Sequence, residues 1–134
     1  TPTDSLALYG GAGFLKRLDS ALVAVLGKVN KKVAQCDYDS GGQDTFSDKV
    51  FLLSRVEAGF TTEGTTTGEI VYPYYDGISS AGRIKLLDGS TRSWWLRSPY
   101  VGLSIYVRYV NTSGAISGSN ACIAAGLAPA CVII

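Results

Sequence analysis

The sequence predicts an α+β domain in which one helix precedes a mixed or antiparallel sheet. Apolar residues recur at spacings of three and four from Phe14 to about Gln35, which is the period of an amphipathic helix. The last third of the chain is instead rich in β-branched and aromatic residues, in short runs bounded by turn signals. A helical segment followed mainly by strands is typical of the α+β class.

Composition sets the outer limits on function. The 134 residues suffice for a single core, and with 46% apolar and 17% charged residues the chain is not intrinsically disordered. The net charge of +1 gives no electrostatic case for binding nucleic acid or an anionic membrane. The chain has no histidine, which excludes Ser-His-Asp and Cys-His catalysis and histidine-based metal sites. No apolar run approaches the ~18–20 residues of a membrane span.

The predicted helix defines the first part of the chain, residues 1–36, and a domain of residues 37–134 follows it. Lys28, Lys31 and Lys32 lie near its carboxyl end, where the helix dipole favours cations. The apolar face of this helix has two possible partners. It packs on the domain, or it pairs with copies of itself in a homo-oligomer.

Short strands and turns are predicted for most of the remaining chain. Residues 37–47 are a polar connector, residues 49–53 a short buried strand, and Ser54 a cap on a short helix over residues 55–58. Asp88-Gly89 marks a turn. Further strands are predicted at residues 93–98, 104–111, from 115, and at 128–134, where the last strand is buried in the sheet.

Charged residues are distributed unevenly along the chain. All eleven acidic residues lie between Asp4 and Asp88, and residues 89–134 carry only Arg92, Arg97 and Arg108. A calcium site in the last third would therefore lack its main hard oxygen ligands, and a paired-carboxylate hydrolase site is excluded there. A buried β-rich core would explain this composition, but residues 100–103 follow a proline, have no clear period and are hardly polar, which favours an apolar loop.

The three cysteines, Cys36, Cys122 and Cys131, are too few and too irregularly spaced for a zinc site or a disulfide framework. Buried thiols are the simplest interpretation, and one disulfide is the alternative. No histidine or local base accompanies Cys122, so it is not expected to be a catalytic thiol.

Three blocks in the last third resemble a known family. They are Ser93-Trp-Trp-Leu-Arg-Ser-Pro99, Arg108-Tyr-Val-Asn-Thr-Ser-Gly114 and Gly126-Leu-Ala-Pro-Ala130. Together they resemble the C-terminal region of variable proteins of diversity-generating retroelements, many of which are encoded by phages and prophages of gut bacteria. Residues 49–54, followed by Glu57-Ala58, resemble the upstream part of the same domain.

The resemblance implies a C-type lectin-like fold whose C-terminal region, about residues 94–134, forms a ligand-binding face. In such systems a reverse transcriptase mutates adenines, chiefly in Asn codons, and these changes do not yield Lys, Glu, Gln, Trp or Met. None of those five residue types occurs after Trp95. The positions expected to be diversified lie between the fixed blocks: Tyr100, Val101, Gly102, Leu103, Ile105, Tyr106, Ser117, Gly118, Ser119, Cys122, Ile123 and Ala124.

The fixed blocks are expected to supply the scaffold: Trp94, Trp95, Arg97, Pro99, Asn111, Gly114, Gly126 and Pro129. The two tryptophans alternate on a strand, so that one faces the core and the other a second packed layer. Arg97 either ties loop carbonyls or a carboxylate, or is a solvated surface charge. Asn111 and Gly114 suit a tight turn. Related domains often have an arginine where this chain has Ala128.

The resemblance implies a hypervariable protein that binds a protein ligand on a host-cell or partner surface, from the virion tail or the bacterial surface. Exposed tyrosines and aliphatic residues favour a protein ligand over carbohydrate. No cofactor, metal or catalytic residue is expected. The alternatives are a non-diversified lectin-like adhesin or virion structural domain and, far behind, an enzyme related in architecture to the formylglycine-generating enzymes.

Overall fold

The computed structural model describes residues 14–134. In this part of the chain the architecture is mixed, with small antiparallel sheets and few helices, compatible with the predicted α+β class. One short α-helix, α1, spans Ser20–Val25. The strands are β1 (Leu26–Gly27), β2 (Val29–Ala34), β3 (Gln43–Asp48), β4 (Val50–Phe51), β5 (Lys85–Leu87), β6 (Ser90–Arg92), β7 (Trp94–Pro99), β8 (Tyr106–Val110), β9 (Ile116–Asn120) and β10 (Ala130–Ile133).

These elements belong to two compact units. The first comprises the described part of Thr1–Lys31 together with Thr45–Phe51 and Pro129–Ile134. The second comprises Lys32–Asp44 and Leu52–Ala128.

The long N-terminal helix predicted over residues 14–35 is wrong beyond Val25. A 3-10 turn at Phe14–Arg17 leads to α1, which Asp19 caps by accepting a hydrogen bond from the Ala21 amide (2.8 Å), and strands follow from Leu26. Gly27 weakens a helix, and the valines beyond it are β-branched and favour strands. Their spacing of four satisfies both the helical and the strand period, so the pattern did not discriminate between them. The three lysines expected near a helix end lie on or just before β2 instead.

The first unit is built around a three-stranded antiparallel sheet in the order β1-β10-β4. Leu26 pairs with Ile133, and Ala130 pairs with Phe51. The predicted last strand therefore exists and is the central strand of its sheet. Its side chains are not buried as expected, because Ile133 is 68% exposed.

The predicted polar connector over residues 37–47 is also wrong in part. A 3-10 turn at Asp37–Asp39 and two residues with positive φ, Ser40 and Gly41, reverse the chain into β3, which pairs with β2. The turn chemistry was visible in the sequence. The returning strand was not, because its first residues are polar and only partly covered.

The second unit carries the predicted strands of the last third as an antiparallel sheet in the order β7-β8-β9. Alternate residues of β7 are buried, and Trp94, Leu96 and Val110 form its core. Asp88 and Gly89, with φ of 52° and 76°, make the predicted turn between β5 and β6. Both φ values are those of a two-residue hairpin turn of the primed type.

Ser54 is a cap, as predicted, although the helix after it stops at a single turn. Its Oγ accepts from the Glu57 amide (3.1 Å), and the Glu57 carboxylate accepts from the Ser54 amide (3.0 Å). This reciprocal pair is a capping box. The turn ends at Gly59, with a φ of 77°, where Arg83 donates to the Ala58 and Gly59 carbonyls.

All three cysteines are free thiols. Cys36 is buried and donates to Asp39 Oδ2 (3.1 Å), whereas Cys122 and Cys131 are exposed. The prediction of buried thiols is therefore wrong for two of the three.

Candidate ligand-binding surface

The first group of expected binding residues forms one closed loop between β7 and β8, here called the β7–β8 loop (residues 100–105). The Tyr100 amide donates to the Tyr106 carbonyl, and the Tyr106 amide donates to the Leu103 carbonyl, both at 3.0 Å. Leu103 and Ile105 are 44% and 66% exposed. The backbone of this loop is thus held by its own hydrogen bonds while its apolar side chains face outward.

Gly102 is exposed, and an added Cβ there would meet no atom of the described residues within 4 Å. Alanine can therefore replace glycine at this position without a collision with those residues. Val101 is more constrained, because its carbonyl accepts from the Asp37 amide (2.9 Å) and its amide donates to Glu63 (3.4 Å).

One face of the β8–β9 ladder unites Tyr100, Tyr106, Arg108 and Gly118. Arg108 lies directly opposite Gly118, and residues that are opposite or two apart on a strand share a face. The Arg108 guanidinium lies over the Tyr100 ring at 3.6 Å, and the rings of Tyr100 and Tyr106 meet edge to face at 6.0 Å. An added Cβ at Gly118 would be 2.6 Å from Tyr100 Cδ2. The Tyr100 ring therefore occupies the space that a side chain at position 118 would fill.

Ser117 and Ser119 point to the other face of the same sheet. They lie opposite Tyr109 and Val107, and Tyr109 packs edge to face against Trp95 at 5.7 Å. The structure therefore does not bring these two serines together with Tyr100 and Tyr106.

The last three expected residues, Cys122, Ile123 and Ala124, are all exposed and follow the end of β9. The Ile123 amide donates to the Asn120 carbonyl (3.2 Å), which starts the turn away from the strand. Ala124 lines an open cavity of about 340 Å³ next to the β5–β6 hairpin. The expected binding residues are therefore exposed or half-buried but occupy more than one face.

Glu63 is a central residue of this surface that the sequence analysis missed. Arg108 Nε and Nη2 donate to its two carboxylate oxygens (2.8 and 2.6 Å), and Arg55 forms a second ion pair with it. Partial burial raises the pKa of Glu63, but the hydrogen bond and charge of Arg108, helped by Arg55, outweigh this and hold the pKa below its ordinary value. The sequence did contain a signal for this pair, because an arginine that is covered in a tract without acidic residues can find a carboxylate only upstream.

Arg97 is buried and binds carbonyl and carboxylate groups from distant parts of the chain. Of the two predicted environments, bonded or solvated, the first is therefore confirmed. Its Nε donates to the Lys32 carbonyl (2.8 Å), Nη1 to the Leu52 carbonyl (2.7 Å) and Nη2 to Glu57 Oε1 (3.0 Å). The side chains of Arg97 and Glu57 are 8% and 6% exposed. Glu69 Oε2 is buried and lies 3.9 Å from Arg97 Nη2, and none of the described residues forms a hydrogen bond with it. Arg97 is therefore a buried structural cation.

Trp94 faces the core, as predicted, whereas Tyr109, the residue that Trp95 contacts, is its partner within the same sheet, so that the second packed layer stays a prediction. Trp94 is fully buried, and its indole nitrogen donates to the Arg83 carbonyl (3.0 Å), while Trp95 packs on Tyr109. Pro99 ends β7 after a register irregularity and pairs with Val107.

The expected turn at Asn111 and Gly114 is present. Asn111 Oδ1 accepts from the amides of Ser113 and Ala115, both at 3.0 Å. Gly114 has a φ of 79°, and an added Cβ would lie 1.8 Å from the Ser80 carbonyl oxygen. Only glycine fits at this position without rearrangement.

Gly126 and Pro129 differ in their packing. Gly126 forms a parallel bridge with Trp94, in which its amide donates to the Ser93 carbonyl (2.8 Å) and its carbonyl accepts from the Trp95 amide (3.0 Å). Pro129 is exposed and directly precedes β10.

No group of three or more cysteine, aspartate or glutamate side chains in residues 14–134 is arranged to hold a metal ion. Within the same range, no helix has the length and apolar character needed to cross a membrane.

Comparison with known proteins gives a family and no closer relative. No curated protein and no solved structure is significantly similar to the chain. The family described as "Domain of unknown function (DUF6273)" matches residues 6–134. Since this match covers nearly the whole sequence, the chain belongs to the DUF6273 family.

Proposed function

We propose that this chain is a hypervariable ligand-binding protein with a C-type lectin-like fold, diversified in its C-terminal region by adenine-directed retroelement mutagenesis. Its ligand is a protein on a host-cell or partner surface. The chain acts from the virion tail or the bacterial surface, and it has no catalytic role.

The main support is the contrast in environment between the β7–β8 loop, which carries expected diversified residues, and two of the expected scaffold residues. Leu103, Ile105 and Gly102 are exposed on the β7–β8 loop. Trp94 and Gly114 are buried, and a change at either disturbs the core or the backbone. A binding site for many targets needs such a division, in which a rigid frame supports exchangeable side chains.

The chemistry of the loop favours a protein ligand. Leu103 and Ile105 present aliphatic area, and the half-buried Tyr100 and Tyr106 add part of their aromatic rings, which lose little conformational entropy on binding. Glu63 neutralises Arg108, so the loop does not present an unpaired cation at that point. Apolar and aromatic contacts of this kind are the usual energetic centre of a protein interface.

The test is to amplify the segment encoding Trp94–Ile134 from the source population and to sequence many copies. Substitutions should concentrate at the expected diversified positions, where the template carries Asn codons. Trp94, Pro99, Gly114 and Pro129 should remain unchanged. A single invariant sequence, or changes spread evenly over the frame, would contradict diversification and leave a lectin-like adhesin or virion domain with one fixed partner.

A further inference from the structure

A second feature of the surface is the open cavity of about 340 Å³ beside the β5–β6 hairpin. Its lining combines one cation, three residues with hydroxyl groups and small or aliphatic side chains, among them Arg92, Thr91, Ser93, Thr112, Leu87 and Ala124. All of these belong to the second compact unit. Of this set, only Ala124 is an expected diversified position.

The charge of Arg92 is not neutralised within the part of the chain that the structure describes. The other two arginines of the acid-free tract have carboxylate partners, Glu57 for Arg97 and Glu63 for Arg108. For Arg92 no ion pair is formed with a described carboxylate, and its side chain is exposed at the cavity.

A second cation faces Arg92 across the hairpin. Lys85 is its direct partner in the β5–β6 register, so the two side chains share one face. Like charges directly opposite each other destabilise a strand pair. The Lys85 ammonium leans over the Trp94 ring at 5.0 Å, which relieves only part of this repulsion. An anion bound at Arg92 would relieve the remainder.

We infer that this cavity binds a carboxylate carried by an acidic segment of a partner protein, with aliphatic residues next to the acid. A guanidinium fork matches a carboxylate with two parallel hydrogen bonds. Thr112 carries a hydroxyl group that offers a further donor, and Leu87 and Ala124 provide apolar walls for the neighbouring residues. The inference does not require diversification, since Arg92 lies outside the expected variable positions.

The experiment titrates the isotope-labelled 134-residue chain with acetyl-Leu-Glu-Leu-amide and, as matched control, with acetyl-Leu-Gln-Leu-amide. Saturable shifts are expected at the backbone amides of Thr112, Ala125 and Gly126 for the glutamate peptide only. Arg92→Gln should weaken binding by about tenfold or more, because it removes a charge-assisted pair. Arg17→Gln removes the same charge from an exposed residue that does not line the cavity and should leave binding unchanged.

A second measurement separates a binding role from a structural one. Arg92→Gln should raise the thermal unfolding midpoint of the free protein, because it removes the repulsion with Lys85, while it weakens peptide binding. A lower unfolding midpoint would contradict the claim that the charge of Arg92 is unneutralised and repels Lys85. Equal shifts with both peptides, equal losses in the Arg17 and Arg92 variants, or tighter binding of inorganic phosphate than of the glutamate peptide would each overturn the carboxylate site. None of these results bears on diversification, which sequencing tests separately.

Discussion

At the scale of single residues, the turn after β8 requires a glycine that even alanine cannot replace. That glycine is Gly114, where an added Cβ would lie 1.8 Å from the Ser80 carbonyl oxygen. Gly89 has nearly the same φ, 76° against 79°, and nothing within 4 Å of its Cβ position. Comparing the two glycines therefore separates the cost of backbone strain, which both share, from the cost of a steric collision, which arises only at Gly114.

We expect Gly114→Ala to lower the free energy of unfolding by about 3 kcal/mol and Gly89→Ala by about 1 kcal/mol. Both changes place alanine at positive φ, but only the first also forces the turn away from Ser80. Urea unfolding of both variants measures the difference. Equal losses would show that the turn at Gly114 relaxes without cost.

Glu63 makes the free energy of unfolding depend on pH in the acidic range. Its pKa lies below the ordinary value of 4.5 when the protein is folded, since Arg108 and Arg55 outweigh the effect of burial. The ionised carboxylate therefore stabilises the fold above about pH 4.5, and this contribution is lost as the pH falls through the folded-state pKa. Glu63→Gln should lower stability at pH 7 and flatten the decline below pH 5 relative to the parent.

Chemical denaturation at several pH values between 3 and 7 measures this effect. Asp88→Asn is the matched control, because it removes an exposed carboxylate from the hairpin turn and keeps a residue that tolerates positive φ. A decline with pH that is as steep in the Glu63→Gln variant as in the parent would contradict the assignment.

At the scale of elements, β8 and β9 are coupled through one ring. Gly118→Val should displace Tyr100, whose Cδ2 lies 2.6 Å from the added Cβ, and break its stacking on Arg108. In the Tyr100→Ala background the same change should be neutral or stabilising, because valine favours strands.

A double-mutant cycle measured by urea unfolding should give a coupling of about 1–2 kcal/mol between positions 100 and 118. Ser119→Val, on the opposite face, should show no coupling to Tyr100. Additive effects at 100 and 118 would mean that the ring moves freely.

The same scale explains what the sequence predicted and what it did not. The strands of the last third were predictable because β-branched residues, aromatic residues and turn residues agreed there, as in β7, β8 and the turn after Asn111. The segment from Leu26 to Ala34 was not, because spacings of four between valines fit both periods and the pairing with distant β10 and with β3 decided the outcome. The expected binding residues likewise do not form one surface, because side chains alternate along β9 and Ser117 and Ser119 lie on the opposite face from Gly118.

At the scale of the whole molecule, Arg97 joins parts of the second unit that are far apart in sequence. Its donors reach acceptors 65, 45 and 40 residues away, at Lys32, Leu52 and Glu57. The sequence left open whether Arg97 binds carbonyls and a carboxylate or is solvated, and only the folded chain identifies its partners. The β7–β8 loop, which carries the candidate surface, begins three residues after Arg97. The strand that leads into this loop is therefore anchored by a buried charge.

Removing one partner of a buried ion pair leaves the other charge without compensation. Arg97→Ala should therefore lower the free energy of unfolding by about 3–5 kcal/mol. The double change Arg97→Ala with Glu57→Ala should recover part of that loss, because it removes one of the two buried carboxylates, those of Glu57 and Glu69, that lose their cation when Arg97 is replaced. Arg17→Ala, which removes an exposed arginine, is the control for loss of charge and should cost less than about 1 kcal/mol. If the double variant is less stable than Arg97→Ala alone, then Glu57 stabilises the unit through its capping box rather than through Arg97.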